Sequence, residues 1–272
     1  MSHALPLSRP VFTILTGLIE ERLGIAYSAA DIDLVAERLT PRALERGFDS
    51  LLDYYYFLRY DPGSEGELAL LADSLVVNET YFFREADQLR TLVEEILPVR
   101  LERQPVARLW CAACATGEEP LTIAALLRER GILDRVQLVA SDVSDRALRA
   151  ALAASYGKRS LRALTPPLPD WLEACGNAVV ARPELVRTID YRRLNLMDDD
   201  SIRALGLFDV IVCRNVLIYF RDKTASEVIS RLESALRPNG YLLVGASESL
   251  LRFGTSLSCE ERGGAFFYRR ID

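Results

Sequence analysis

Residues 106–127 constrain this chain more than any other stretch. An apolar run, residues 106–110, leads into the small-residue segment Cys111-Ala112-Ala113-Cys114-Ala115-Thr116-Gly117. A helix-forming stretch then opens at Glu118-Glu119-Pro120 and continues to Leu127. Strand, tight loop and helix in that order make the first unit of a nucleotide-type α/β site, where small residues let a ligand come close to the backbone. The loop lacks G-x-G-x-x-G and sets two carboxylates at the helix start. Carboxylates there repel a pyrophosphate. They suit a ligand that offers hydroxyls and positive charge, and S-adenosylmethionine offers both.

The pattern downstream extends this unit. Short apolar runs at 106–111, 136–141, 208–213 and 240–245 alternate with helical stretches near 119–130, 145–154 and 222–236. That alternation predicts a doubly wound, mainly parallel sheet covered on both faces. Residues 255–259 and 265–269 flank Gly263-Gly264 and read as a terminal antiparallel hairpin. After a Pro-rich loop at 165–169, residues 178–181 and 185–194 read as a small antiparallel excursion, a β-subdomain over about 176–194.

No strand signal precedes residue 105. Phe12, Leu15, Leu18, Ile19 and Leu23 recur at helical spacing, as do Ile32, Val35, Leu39 and Leu44. The spacing predicts helices over 11–25 and 31–47, with Pro41 bending or interrupting the second. Further helices are expected over 50–59 and 65–77, a joining helix over 81–97 and a charged connector over 98–105. The expected organisation is an all-α N-terminal domain at 1–80, a connecting helix and linker at 81–105, and the α/β domain at 106–272.

The formal charge of −6 argues against general nucleic-acid binding. No stretch reaches the ~18–20 apolar residues of a membrane span, and residues 1–10 show no secretory leader. Five cysteines, an odd number, fit reduced thiols in a cytoplasmic protein. Cys111-x-x-Cys114 has no second ligand pair at metal spacing, so no metal site is expected. The one histidine is His3, which leaves histidine acid–base chemistry without a residue in the α/β domain.

Candidate site residues follow from position. Glu119 at the helix start is either a ligand group or ordinary helix-end charge matching. Asp142 ends the second strand, some 25 residues after the loop, where an acidic side chain can hold a ribose. Its alternative is a helix N-cap, a task that Ser144 or Asp145 fits better. Arg214, Asn215 and Tyr219 leave the strand over 208–213 at its C-terminal end, where open α/β sheets bind ligands. The alternative for Tyr219 is packing under the next helix. Asn78-Glu79-Thr80-Tyr81-Phe82-Phe83-Arg84 is either a hinge core or a cover over the ligand, with Arg84 near a carboxylate.

Together these segments resemble the CheR-type chemotaxis receptor methyltransferase family over nearly the whole chain. The specific blocks are Asn78 to Arg84 as quoted, Ala115-Thr116-Gly117-Glu118-Glu119-Pro120, Cys213-Arg214-Asn215-Val216-Leu217-Ile218-Tyr219-Phe220 and Gly245-Ala246-Ser247-Glu248-Ser249-Leu250. The resemblance implies a methyltransferase fold, S-adenosylmethionine as methyl donor, and glutamates on the helices of a methyl-accepting chemoreceptor-type protein as acceptor. It implies Asn78, Thr80 and Arg84 at the methionine part or the site mouth, Glu119 against the donor and Asp142 on its ribose. It further implies Asn195 and Leu196 beside the adenine, Arg214 and Asn215 in the same pocket, and Tyr219 at the methyl-transfer face, with Arg84 and Tyr219 catalytic. Leu121 and Ala246 depart from the residues common in the family. The stretch between Trp171 and Asn195 is short and has only Gly176, so tethering to a receptor's C-terminal peptide is not expected.

The rival readings are a small-molecule methyltransferase, a module that binds the donor without transfer, and a dinucleotide oxidoreductase. The chain is expected to act as a cytoplasmic monomer that neither binds nucleic acid nor inserts in a membrane. Residues 1–80 hold 6 Arg and 13 Asp/Glu, a net of −7, so docking on an acidic target needs local cations. Arg38, Arg42 and Arg46 recur every four residues and share one face if their helix continues past Pro41. They form either an acceptor-docking stripe or a solvated face paired with Glu45 and nearby acids.

Overall fold

A computed structural model describes residues 4–271, so His3 lies outside the described residues. The N-terminal domain is four helices: α1 Arg9–Leu23, α2 Ile32–Glu45, α3 Leu51–Tyr60 and α4 Glu65–Leu75. Their apolar faces bury one another, with Leu15, Leu39, Leu51, Leu58, Leu71 and Leu75 almost wholly out of solvent. Pro41 lies inside α2 without ending it. Burial of Val35, Ala36, Leu39 and Ala43 on both sides of the proline outweighs the one lost backbone hydrogen bond. Gly24 closes α1 at φ +78°, and a Cβ there would stand 2.9 Å from the Phe220 ring. Glycine is thus required both by the left-handed turn and by the close approach of the second domain.

The joining segment differs from expectation. No helix covers residues 78–85. Phe83 and Glu85 sit at positive φ, and α5 begins only at Ala86. From there α5 Ala86–Thr91, a π turn Leu92–Ile96 and α6 Leu97–Arg103 run on continuously. The expected connector at 98–105 is therefore mostly helix. Pro98 falls in the first turn of α6, where a missing N–H is tolerated.

The α/β domain comprises β1 Ala107–Ala112, α7 Glu118–Glu129, β2 Val136–Asp142 and α8 Asp145–Ala153, then β3 Ser155–Tyr156, β4 Leu172–Cys175, β5 Ala178–Ala181 and α9 Pro183–Val186. It continues with β6 Ile189–Arg193, α10 Asp199–Leu205, β7 Phe208–Val212, α11 Asp222–Ser234, β8 Leu236–Leu243, β9 Ser258–Arg262 and β10 Ala265–Arg269. The main sheet has the order β6-β2-β1-β7-β8-β10-β9. Its first five strands are parallel, and β10 and β9 close it antiparallel. Alternate residues feed two cores. Leu109, Cys111, Leu138 and Val210 pack with α5–α7, whereas Trp110, Val139 and Ile211 pack with α11. This is the expected doubly wound, mainly parallel sheet with a terminal hairpin and an all-α domain in front.

The inserted β-subdomain needs correction. Its three strands, in the order β3-β5-β4, span residues 155–181 and not 176–194. Residues 189–193 instead form β6, the parallel edge of the main sheet, with Ile189 opposite Leu138 and Arg193 opposite Asp142. Asp190, Arg192 and Arg193 are exposed there. An edge strand with so polar a pattern reads, in sequence, like a surface hairpin.

Candidate active site

A cavity of about 340 Å³ opens at the C-terminal ends of β1, β2 and β7, and the helical domain forms its other wall. It is lined from both domains. Asn78, Thr80, Arg84, Glu119, Asp142, Asn195, Leu196, Arg214, Asn215 and Tyr219 all border it, and so does Arg38.

The loop after β1 turns at Ala113 and Ala115, both at positive φ, and at Gly117. Space explains the small residues: a Cβ on Gly117 would stand 2.8 Å from the Ala151 Cβ. Asp142 fastens the loop, because its Oδ2 accepts the Ala115 N–H at 2.8 Å while Oδ1 accepts the Ser144 N–H at 2.9 Å. Ser144 caps α8 by accepting the Ala147 N–H, so Asp142 is not the cap. Burial pushes the Asp142 carboxyl up, against the backbone N–H groups of Ser144, Ala115 and Val143. Each carboxylate oxygen keeps a further lone pair for a ligand hydroxyl.

The two helix-start carboxylates part company. Glu118 is buried and accepts from the hydroxyls of Thr116 at 2.6 Å and Ser160 at 2.7 Å. Glu119 faces the cavity and accepts from Arg214 Nη1 at 2.7 Å. The Arg214 side chain is wholly buried. Its Nη2 donates to the Arg84 carbonyl at 2.7 Å and to Glu85 Oε2 at 3.1 Å, and its Nε has no partner among the described residues. Burial pushes Glu119 up against the pull of Arg214. At Glu85, burial also acts upward, but Arg214 and the Ala246 N–H outweigh it and hold the carboxyl below its ordinary value.

Asn215 turns the chain out of β7 at φ 59°. Its N–H donates to Glu248 at 2.6 Å, and Glu248 also accepts the Gly245 N–H at 2.8 Å. A Cβ on Gly245 would meet the Asn215 amide nitrogen at 2.7 Å. Tyr219 ends the short turn Leu217–Tyr219. Its carbonyl accepts the Ala26 N–H at 2.9 Å, and no described residue hydrogen-bonds its hydroxyl. Burial raises that hydroxyl's pKa, with Arg84 acting against it. Arg84 itself donates to the Glu79 carbonyl at 3.0 Å.

Asn195 borders the cavity, but its side chain already donates to the Arg22 carbonyl at 2.6 Å and accepts the Met197 N–H at 3.0 Å. It ties the two domains together. Glu85 and Glu248 escaped sequence reasoning because the partners that define their role, Arg214 and Ala246 for Glu85 and the Asn215 N–H for Glu248, are distant in sequence. Tyr27 escaped it too, and its buried hydroxyl has no hydrogen bond of ordinary geometry.

The arginine stripe is only partly displayed. Arg38, Arg42 and Arg46 do share a face, since α2 continues past Pro41, but Arg38 borders the cavity and Arg42 is mostly covered, while Arg46 is 43% exposed. Arg38 donates to the Leu75 carbonyl at 2.5 Å. Arg42 grips the fully buried Glu67 through Nε at 2.9 Å and Nη2 at 2.6 Å, and also pairs with Glu45. Arg46 reaches the same Glu67 at 2.9 Å.

The cavity volume falls in the usual range of roughly 300–1,000 Å³ for small-molecule sites. Among the described residues, no hydrogen bond of ordinary geometry reaches the side chains of Asn78 and Thr80, Arg214 Nε or the Tyr27 hydroxyl, whose one polar neighbour of note is Arg38. A ligand with a carboxylate, hydroxyls and ring nitrogens would satisfy them. Asp31, Glu79, Glu119 and Asp142 outnumber Arg38, Arg84 and Arg214 in the lining, which suits a ligand that carries positive charge. These features fit S-adenosylmethionine.

Two family models match in series. The all-alpha domain of CheR methyltransferases matches residues 11–76, and their SAM binding domain matches residues 78–262. A chemotaxis protein methyltransferase of Vibrio parahaemolyticus is 34% identical over 258 residues, covering 91% of this chain and 92% of that one. Chemotaxis protein methyltransferase 1 of Pseudomonas aeruginosa is 32% identical over 250 residues, covering 88% and 90%. Among solved structures, the N-methyltransferase NodS from Bradyrhizobium japonicum, in complex with S-adenosyl-L-homocysteine, is 15% identical with a TM-score of 0.39, covering 77% of this chain and 98% of that one. With two domains matched in order and relatives aligned nearly end to end, the chain belongs to the CheR methyltransferase family, whose enzymes use S-adenosylmethionine as methyl donor.

Proposed function

We propose that this enzyme methylates glutamate side chains on a chemoreceptor-type signalling protein and leaves glutamate methyl esters. The observation that carries the reading is the pair at the cavity mouth: the Arg84 guanidinium, and the Tyr219 hydroxyl, which no described residue hydrogen-bonds. Bound S-adenosylmethionine supplies an electrophilic methyl group. A glutamate side chain, with a pKa of about 4.3, is already a carboxylate near neutral pH, so the acceptor needs no general base. What this chain must do is hold the acceptor in line and keep water out.

Arg84 draws the incoming carboxylate by charge. Tyr219 donates a hydrogen bond to one carboxylate oxygen and leaves the other free to attack. Its raised pKa keeps the hydroxyl protonated, hence a donor. Beneath them, the Glu119–Arg214–Glu85 bridge fixes the floor, because a buried guanidinium gripped from two sides cannot swing into the acceptor's place. Each turnover removes one negative charge from the acceptor.

The test is incubation with methyl-labelled donor and membranes that hold candidate receptors. Label on a receptor-sized band that mild base releases as methanol is expected. Base-stable label, or transfer only to small acids in a parallel panel, overturns the reading.

A further inference from the structure

Glu118 has no part in that reading, yet it is buried beside the site. Its carboxylate accepts from the Ser160 hydroxyl at 2.7 Å, and the Ser160 carbonyl accepts the Phe82 N–H at 2.9 Å. These two bonds fasten the loop after β3 to the start of α7 on one side and to the segment carrying Tyr81 and Arg84 on the other. Tyr156, at the root of the loop, adds a third bond from its hydroxyl to the Thr116 carbonyl at 3.0 Å.

The anchored loop carries cations only. Residues 156–165 read Tyr-Gly-Lys-Arg-Ser-Leu-Arg-Ala-Leu-Thr, with Lys158, Arg159 and Arg162 and no acid. Arg159 Nη2 lies 3.0 Å and Arg162 Nη1 3.2 Å from the two oxygens of Glu79, a residue of the cavity lining. The Arg162 guanidinium carbon stands 3.8 Å from the centre of the Tyr81 ring, and that of Arg84 stands 5.9 Å from the same ring. Arg162, Tyr81 and Arg84 thus make a short ladder that leads to the mouth. Glu79, Arg159 and Arg162 are all exposed, at 44%, 65% and 41% of their side-chain surface. Ion pairs so open to water exchange partners easily.

We propose that Arg159 and Arg162, held in place by the Glu118–Ser160 anchor, form the acceptor-docking rim of the site, which binds carboxylates that flank the target glutamate on an acidic helix. Glu79 fills the rim until the acceptor's own carboxylates replace it. The occupant follows from charge: three loop cations against one exchangeable carboxylate, beside a mouth already read as a carboxylate site. The inference rests on that reading of the acceptor. It also places docking on arginines beside the mouth whose one carboxylate partner is itself exposed, unlike Arg42 and Arg46, which hold the buried Glu67.

The experiment uses the full chain and a purified cytoplasmic helical fragment of a chemoreceptor as acceptor. The double variant Arg159→Glu/Arg162→Glu is compared with the parent at low and high salt, with S-adenosylhomocysteine affinity and thermal midpoint measured alongside. Tenfold or more loss in kcat/KM at low salt is expected, carried by KM and narrowing at high salt, with product affinity and midpoint unchanged. Arg159→Lys/Arg162→Lys keeps the charge and should stay within threefold of the parent. A reversal variant within twofold of the parent at both salts overturns the rim. So does a parallel fall in product affinity, which would put these arginines in the donor pocket. A parent that methylates no receptor fragment instead removes the glutamate reading on which the rim depends.

Discussion

Two groups of arginines on this molecule do opposite work. On α2, Arg42 and Arg46 converge on Glu67, a carboxylate with no exposure that also accepts from the Tyr54 hydroxyl at 2.7 Å. Around the cavity mouth, Arg84, Arg159 and Arg162 meet solvent and partners that water can displace. The sequence spacing of the first group looks designed for display, four residues apart on one helix. Spacing defines a face but says nothing of what the face packs against. For Arg42, one buried acid twenty-five residues downstream takes the side chain inward, since an unpaired charge in the core costs far more than a solvated one.

The comparison can be broken by four substitutions. Arg42→Ala leaves the buried Glu67 with Arg46 and Tyr54 only. It should lower stability by about 3 kcal/mol, the low end for breaking a buried pair, measured by denaturant unfolding. Unchanged stability would put Arg42 back among the displayed cations. Tyr219→Phe should do the reverse. Loss of one hydrogen bond to a charged acceptor predicts roughly a tenfold to hundredfold fall in kcat, about 1.5–3 kcal/mol, with stability and product affinity nearly intact. Turnover at the parent rate would reduce Tyr219 to packing. Asp142→Ala should weaken S-adenosylhomocysteine binding in calorimetry by about 1–3 kcal/mol. Affinity equal to the parent's would take Asp142 out of the donor site. The smallest effect belongs to Arg46→Ala. That side chain is 43% exposed and Arg42 still covers Glu67, so the loss should stay below about 1 kcal/mol. A larger loss would mean that Glu67 needs both arginines.

The parallel strands were legible because strands buried on both faces are short runs of Val, Ile, Leu and Cys, and the helices between them keep their period. The edge strand β6 was not, since only Ile189 of its five residues is buried. The turn over residues 78–85 was not legible either. Phe83 and Glu85 take positive φ without being glycine or asparagine, so nothing in the sequence flags the turn. At the site, residues marked by position at strand ends border the cavity, which reflects how open parallel sheets place their loops. Glu85 and Glu248 could not be found that way. Their work is to accept the side chain of Arg214 and the backbone N–H groups of Ala246 and Asn215, contacts between segments far apart in sequence that exist only in the folded chain.

The backbone bond from Ala26 to Tyr219, with its neighbouring bridge between Ile25 and Phe220, has a bearing on modularity. Family models divide the chain near residue 77, as though two inheritable units met there. The physical seam lies elsewhere. A protein trimmed to the second unit would strip the Tyr219 carbonyl and the Asn195 amide of their partners and remove the cavity wall made by Tyr27, Leu34 and Arg38. Exchange of the helical domain between relatives is therefore constrained from inside as well as from its outer surface. A transplanted domain must bring a glycine that tolerates the Phe220 ring and a strap that pairs with the tyrosine turn, or the recipient loses its grip on the donor before any acceptor arrives.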